Sequence, residues 1–191
     1  MNRTTLENGL TETQVTTENL FGLIGFNATI GDWRWHTSFQ RGTNDLDIPL
    51  NNNLIKSRMT LATDAVLSGG SILCASASIN PDCVPFNPFG IGAPSQAALD
   101  YVMGRSEFNN YTSQQVADTS FSGELFSLPA GPVTIALGAH WRKLESQTTV
   151  DALSIAGGYR LANNKPFYGA YEISEQFVET EVPLLENAGL A

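Results

Sequence analysis

The residues of this chain best equipped for chemistry are two cysteines, two histidines and a few carboxylates. Cys74 and Cys83 enclose the eight residues ASASINPD. Spacing alone leaves three readings for them: a disulfide, a pair of free thiols, or part of a metal site. The last needs further ligands close by, and His36 and His140 are both far away in sequence. Glu179 and Glu181 share a face if their segment is a strand, as a glycosidase pair would require; near a strand end the same pair also serves as a solvated rim. No G-x-S-x-G, H-E-x-x-H or Walker A pattern occurs, and FGIGAPS offers only G-x-G after a proline-rich loop. Enzymatic activity is not expected, and no cofactor is implied.

The elements that must carry these residues alternate with a period of two. In DWRWHTSFQRG, Trp33, Trp35, Thr37 and Phe39 oppose Arg34, His36, Ser38 and Gln40. In PVTIALGAHWRK, Val133, Ile135, Leu137, Ala139 and Trp141 oppose Thr134, Ala136, Gly138, His140 and Arg142. Each segment has a partner upstream: ENLFGLIGFNATI, with Leu20, Ile24, Phe26, Ala28 and Ile30 on one parity, and QQVADTSFSGELFSL, where Ala117, Thr119, Phe121 and Leu125 oppose Asp118, Ser120, Ser122 and Glu124. A fifth strand is expected in EQFVETEVPLL. Tight turns are expected at Gly31–Asp32 and Pro129–Pro132, where glycine supplies unusual φ and proline is preset for a turn.

The remaining connections are long, 43–111 and the stretch from Glu145 to Ala170. In an up-and-down meander short and long links then fall on opposite rims, as outer-membrane barrels arrange them. The alternative is a soluble β-sandwich, in which Trp33, Trp35, Phe39, Ile135 and Leu137 are buried against a second sheet. Within the long loop, SQAALDYVMG predicts a short helix with Ser95 as N-cap and Gly104 as stop, and LATDAVLSGG another turn of helix. CVPFNPFG, with two prolines, is neither helix nor regular strand. Its Phe86 and Phe89 read as anchors of a small loop core or as aromatics that meet a ligand.

Composition bounds the rest. Charged residues are 15% of 191, and the net charge is −9, so no basic surface exists for nucleic acid. No apolar run approaches the roughly 18 residues that a membrane-spanning helix needs. MNRTTLENGLTETQ has no apolar core of its own, so no signal peptide is expected there.

With CVPFNPFG, AALDYVMG and SFSGELFSLPAGPVTIALGAHWRK taken together, and with DWRWHTSFQRG, ATDAV and GAYEISEQFVETEVPLL beside them, the chain resembles TonB-dependent outer-membrane receptors of alpha-proteobacterial type. The resemblance spans nearly all of 1–191. It implies an all-β fold: an antiparallel meander of about five strands, forming part of a transmembrane β-barrel, with a long extracellular loop at 43–111 that contains short helices. Such receptors are twenty-two-stranded barrels with a plugged lumen. Nothing here resembles the plug, and the remaining strands are absent.

The implied function is a segment of a receptor for active uptake of a nutrient (siderophore iron, cobalamin or carbohydrate) across the outer membrane. Its implied partners are the plug and the missing strands, TonB acting through the plug, outer-membrane lipid and a small nutrient. Arg34, His36, Gln40, Asp118, Glu124, His140 and Arg142 are expected to face the lumen. Phe86, Asn87, Phe89 and Tyr101 are the ligand-facing candidates, and Cys74 and Cys83 the disulfide. Five strands do not close a barrel, for which about eight is the smallest number, so the isolated chain is not expected to insert stably or to transport. A secreted or periplasmic β-sandwich that binds a ligand such as carbohydrate remains the alternative.

Overall fold

The computed structural model describes residues 9–185. Its elements run β1 (Glu12–Thr13), β2 (Thr16–Ile30), β3 (Trp33–Asp47), β4 (Leu50–Leu54), α1 (Lys56–Thr63), β5 (Ala65–Ser68), β6 (Ser71–Cys74), α2 (Gln96–Val102), β7 (Met103–Ser106), β8 (Phe108–Leu128), β9 (Gly131–Val150), α3 (Ala152–Ile155) and β10 (Phe167–Glu181). The chain is mostly β, as expected, and its strand pairs are antiparallel. It divides into two units, one drawn from 9–17, Leu46–Asn110 and Thr148–Phe167, the other from Glu18–Asp45, Tyr111–Gln147 and 168–185.

The second unit is an open five-stranded sheet in the order β10-β9-β8-β3-β2. All five expected strands are present, and the sheet order follows chain order, so the meander is observed. Two-residue turns join β2 to β3 and β8 to β9, and Gly31 at the first has φ 64°, which a side chain would disfavour. The strands are longer than the alternation suggested: β8 begins at Phe108 and β9 continues to Val150. β10 begins at Phe167 and ends at Glu181, short of Leu185.

Cross-strand contacts fix which parity shares a face. On one face, Trp33 stacks on Phe121 with ring centroids 4.7 Å apart, and Phe26 meets Trp35 edge-on at 5.4 Å. The Trp141 indole N–H donates to Glu172 on the same side (2.7 Å). On the other face Ser38, Asp118 and His140 meet, as do Asn27 and His36. Two glycines allow rings to lie flat on neighbouring strands: Trp33 covers Gly123 on the first face, and Phe177 covers Gly138 on the second.

Between Leu20 and Ile30 on β2, Trp33 and Phe39 on β3, Ala117 and Leu125 on β8, Val133 and Trp141 on β9, and Ser174 and Thr180 on β10, the first face carries no charged residue. In the same band the second face carries Arg34, Asp118, Glu124, His140, Glu175 and Glu179. Large side chains of the uncharged face are open to solvent: Trp35 is 36% exposed, Phe39 41% and Leu137 39%. The burial that a sandwich requires is not found here.

The first unit holds the long loop, and there the expectation of short helices alone is corrected. Its strands β4 and β7 form a three-stranded sheet with β1, which lies ahead of β2 in the chain, and the loop also holds the β5–β6 hairpin. LATDAVLSGG splits between the end of α1 and this hairpin, which turns at Gly69 and Gly70, both with positive φ. Ser95 caps α2 as expected, its Oγ accepting from the Ala98 N–H (3.2 Å). Gly104 is not the stop. The helix ends at Val102, and Gly104 lies in β7, where a Cβ would come within 2.9 Å of Ile55.

The core of this unit is small: Ala62, Phe86, Ala98 and Val102 are buried together, with Leu54, Met59, Val84, Leu99, Tyr101 and Met103 against them. Cys74 and Cys83 form a disulfide at its side. Phe86 is thus the anchor anticipated for CVPFNPFG, at 5% exposure, whereas Phe89 is 70% exposed and anchors nothing. The chain turns outward between them, where Asn87 Oδ1 accepts from the Phe89 N–H (3.0 Å).

Candidate functional site: a polar sheet face and a tied loop

The period-two alternation places the lumen candidates on one face of the five-stranded sheet, and three of them meet. Asp118 on β8 stands between Ser38 on β3, whose Oγ donates to Oδ2 (2.6 Å), and His140 on β9, whose Nδ1 lies 3.2 Å from Oδ1. Arg142 Nη2 is 3.4 Å from His140 Nε2, and Arg142 Nε is buried without an acceptor among the described residues. His36 Nδ1 is hydrogen-bonded to Asn27 Oδ1 instead (2.7 Å).

Serine, aspartate and histidine together invite a nucleophilic reading, but the geometry is wrong for it. Ser38 donates to the carboxylate rather than to the imidazole, and the far nitrogen of His140 faces a guanidinium. No imidazole therefore addresses the hydroxyl, as the serine–histidine–aspartate arrangement requires. Chemically the group is a wall of hydrogen-bonded polar side chains.

Toward the short turns, Arg34 and Glu124 line a hollow of about 730 Å³ with Asp32, Glu179 and Glu181. Glu124 also accepts from Ser127. Glu179 and Glu181 do share a face, with Arg34 nearby, and so form part of an acidic rim. Gln40 lies on the same parity, half-buried. No group of three or more metal-ligating side chains forms among the described residues. Sequence reasoning placed Ser38 on this parity without naming it among the lumen candidates, and it did not single out Asn27.

The ligand-facing candidates of the loop separate. Phe86 is buried in the loop core, and Tyr101 packs against that core with the Arg58 guanidinium 5.4 Å from its ring centroid. Only Asn87 and Phe89 present themselves outward. The same unit contains a polar anchor that the sequence did not announce. Asp151 caps α3 through Oδ1, which accepts from the Ser154 N–H (2.9 Å), and Oδ2 accepts from Ser154 Oγ (2.6 Å) and the Glu107 N–H (3.0 Å). Partial burial disfavours its charge, but these hydrogen bonds outweigh that and hold its pKa below the usual carboxylate range. Nearby, burial raises the Tyr159 phenol, as do the charges of Asp151 and Glu107; its hydroxyl donates to the Arg105 carbonyl (2.7 Å).

Comparison with protein-family models, with curated protein sequences and with solved structures returns no match for this chain.

Proposed function

We propose that the chain is a wall segment of a TonB-dependent outer-membrane receptor, with strands that cross the outer membrane and a disulfide-tied loop that lies outside the cell. The observation that carries this reading is the partition of charge across the sheet. Five strands keep one face free of charge over the same band, and within that band the charged residues lie on the other face.

On β9 the uncharged stretch from Val133 to Trp141 spans roughly 27 Å at about 3.4 Å per residue. Tilted by ~40°, as barrel strands are, that becomes ~21 Å, close to the apolar band of about 25 Å on outer-membrane barrels. The exposure of Trp35, Phe39 and Leu137 favours lipid contact over the sandwich reading.

In this reading β2 and β10 pair with the remaining strands of the barrel, since an open edge in lipid leaves backbone groups unsatisfied at several kcal/mol each. TonB acts through the plug, and a small nutrient passes the polar face. The gene surrounding this sequence tests the reading. A plug-coding region upstream and further alternating strands downstream are expected. A sequence context without either overturns it.

A further inference from the structure

The polar face of the five-stranded sheet divides by how far its side chains are already engaged. One group is closed on itself: Ser38, Asp118, His140 and Arg142 bond or lie close to one another. Nearer the short turns, three neighbouring strands each send two polar side chains to a hollow of about 340 Å³: Asn27 and Thr29 from β2, Arg34 and His36 from β3, Ser120 and Ser122 from β8. Ala28 and Trp35, on the other parity, complete its border. Asn27 and His36 bond to each other. Thr29, Arg34, Ser120 and Ser122 have no side-chain hydrogen bond or ion pair among the described residues. The polar groups with capacity to spare therefore converge on this hollow. It is open on the side away from the sheet, as one wall of a lumen must be, and its size lies at the lower end of the roughly 300–1,000 Å³ of small-molecule sites.

Charge decides what it admits. Arg34 brings one positive charge, but Asp32, Glu124, Glu179 and Glu181 border the adjoining hollow with it, and Asp118 follows Ser120 on the same parity. A carboxylate or phosphate that approaches Arg34 meets like charge close by. A neutral polyol does not. Each of its hydroxyls donates and accepts, as those of Thr29, Ser120 and Ser122 do, and the Arg34 fork can span two neighbouring hydroxyls.

An aromatic ring stands one strand away. Asp118 meets His140 across β8 and β9, so Ser120 lies opposite Gly138 two residues on. The Phe177 ring covers Gly138 on this same face and is exposed. It offers the apolar C–H side of a sugar ring a flat surface that a small anion cannot use.

We propose that this hollow is a transit site for a neutral saccharide, with one ring against Phe177 and its hydroxyls toward Ser120, Ser122 and Arg34. The assignment rests on the barrel-wall reading, which makes this face the lumen, and it narrows the nutrient to an uncharged sugar rather than an anionic iron chelate.

The test uses the full chain in micelles of a sugar-free detergent and saturation-transfer-difference NMR, with maltotriose and cellotriose as neutral probes and citrate as the anionic one. Saturation of the protein should pass to the ring protons of at least one trisaccharide, be unchanged between low and high salt, and exceed any transfer to citrate. Ser120→Ala combined with Ser122→Ala should reduce it by more than half, as should Phe177→Leu, which keeps an apolar side chain over Gly138. Phe39→Leu, the same change on the uncharged face, should leave it unaltered.

No transfer to either trisaccharide would overturn the site. So would stronger, salt-sensitive transfer to citrate, and so would equal losses in Phe39→Leu and Phe177→Leu. Tryptophan quenching by brominated acyl chains in the same micelles separates the two levels. Lipid quenching without saccharide transfer removes only the sugar site. Saccharide transfer without lipid quenching removes the barrel wall, and the transit role with it.

Discussion

Phe86 and Phe89 are three residues apart in one proline-rich loop, yet one is buried and the other exposed. Nothing in CVPFNPFG separates them, because the difference arises from a side-chain turn at Asn87 and from helices that meet Phe86 only in the folded loop. Truncation therefore gives unequal results. Phe86→Ala should cost about 3–5 kcal/mol and Phe89→Ala under about 0.5 kcal/mol, read from urea midpoints. Asp151 was equally illegible in the sequence, since the backbone N–H of Glu107 reaches it only after folding. Its folded pKa is depressed, so its stabilisation is complete above the unfolded value near 3.8 and is lost as pH falls through the lower folded value. Asp151→Asn should lower stability at pH 7 by about 0.5–2 kcal/mol and flatten the dependence below about pH 4, measured by urea titration across that range.

At the scale of the element, strands longer than ten residues were legible and short ones were not. β3 and β9 declare themselves because apolar or β-favouring side chains fall at every second position, from Trp33 to Phe39 and from Val133 to Trp141. LNNNL and AVLS hold too few residues to show a period, and LNNNL pairs with strands distant in sequence. Gly104 misled for the same reason: a glycine after a helical pattern resembles a stop, whereas here it makes room for Ile55. The glycines under rings were likewise invisible in the period. Phe177 occupies the space above Gly138, so Gly138→Val should destabilise by about 1–3 kcal/mol. Combining it with Phe177→Ala should recover part of that loss, a non-additivity that a double-mutant cycle measures. The disulfide acts on the loop as a whole. Closing a loop of this size stabilises by about 2–3 kcal/mol, so Cys74→Ser with Cys83→Ser should hasten proteolysis between β6 and α2 and leave the long strands protected from hydrogen exchange.

At the scale of the whole molecule, the alternation carries meaning only when five strands agree on which parity is uncharged. Their agreement was readable strand by strand, but the shared face was not, because register decides it. A charge added to one face or the other should therefore have very different effects in a lipid-embedded barrel. Leu137→Lys should cost about 2–4 kcal/mol at mid-depth, and Ala136→Lys, facing the other way, much less, as measured by unfolding from lipid vesicles. The three tryptophans, Trp33, Trp35 and Trp141, all stand on the uncharged parity, so tryptophan emission reports on that face alone. The most direct measurement is its quenching in mixed micelles that contain lipids brominated along the acyl chain, which requires no stable bilayer insertion, compared with quenching by a water-soluble agent. Strong quenching from the lipid and weak quenching from water are predicted; strong quenching from water with none from the lipid would contradict a face made for hydrocarbon.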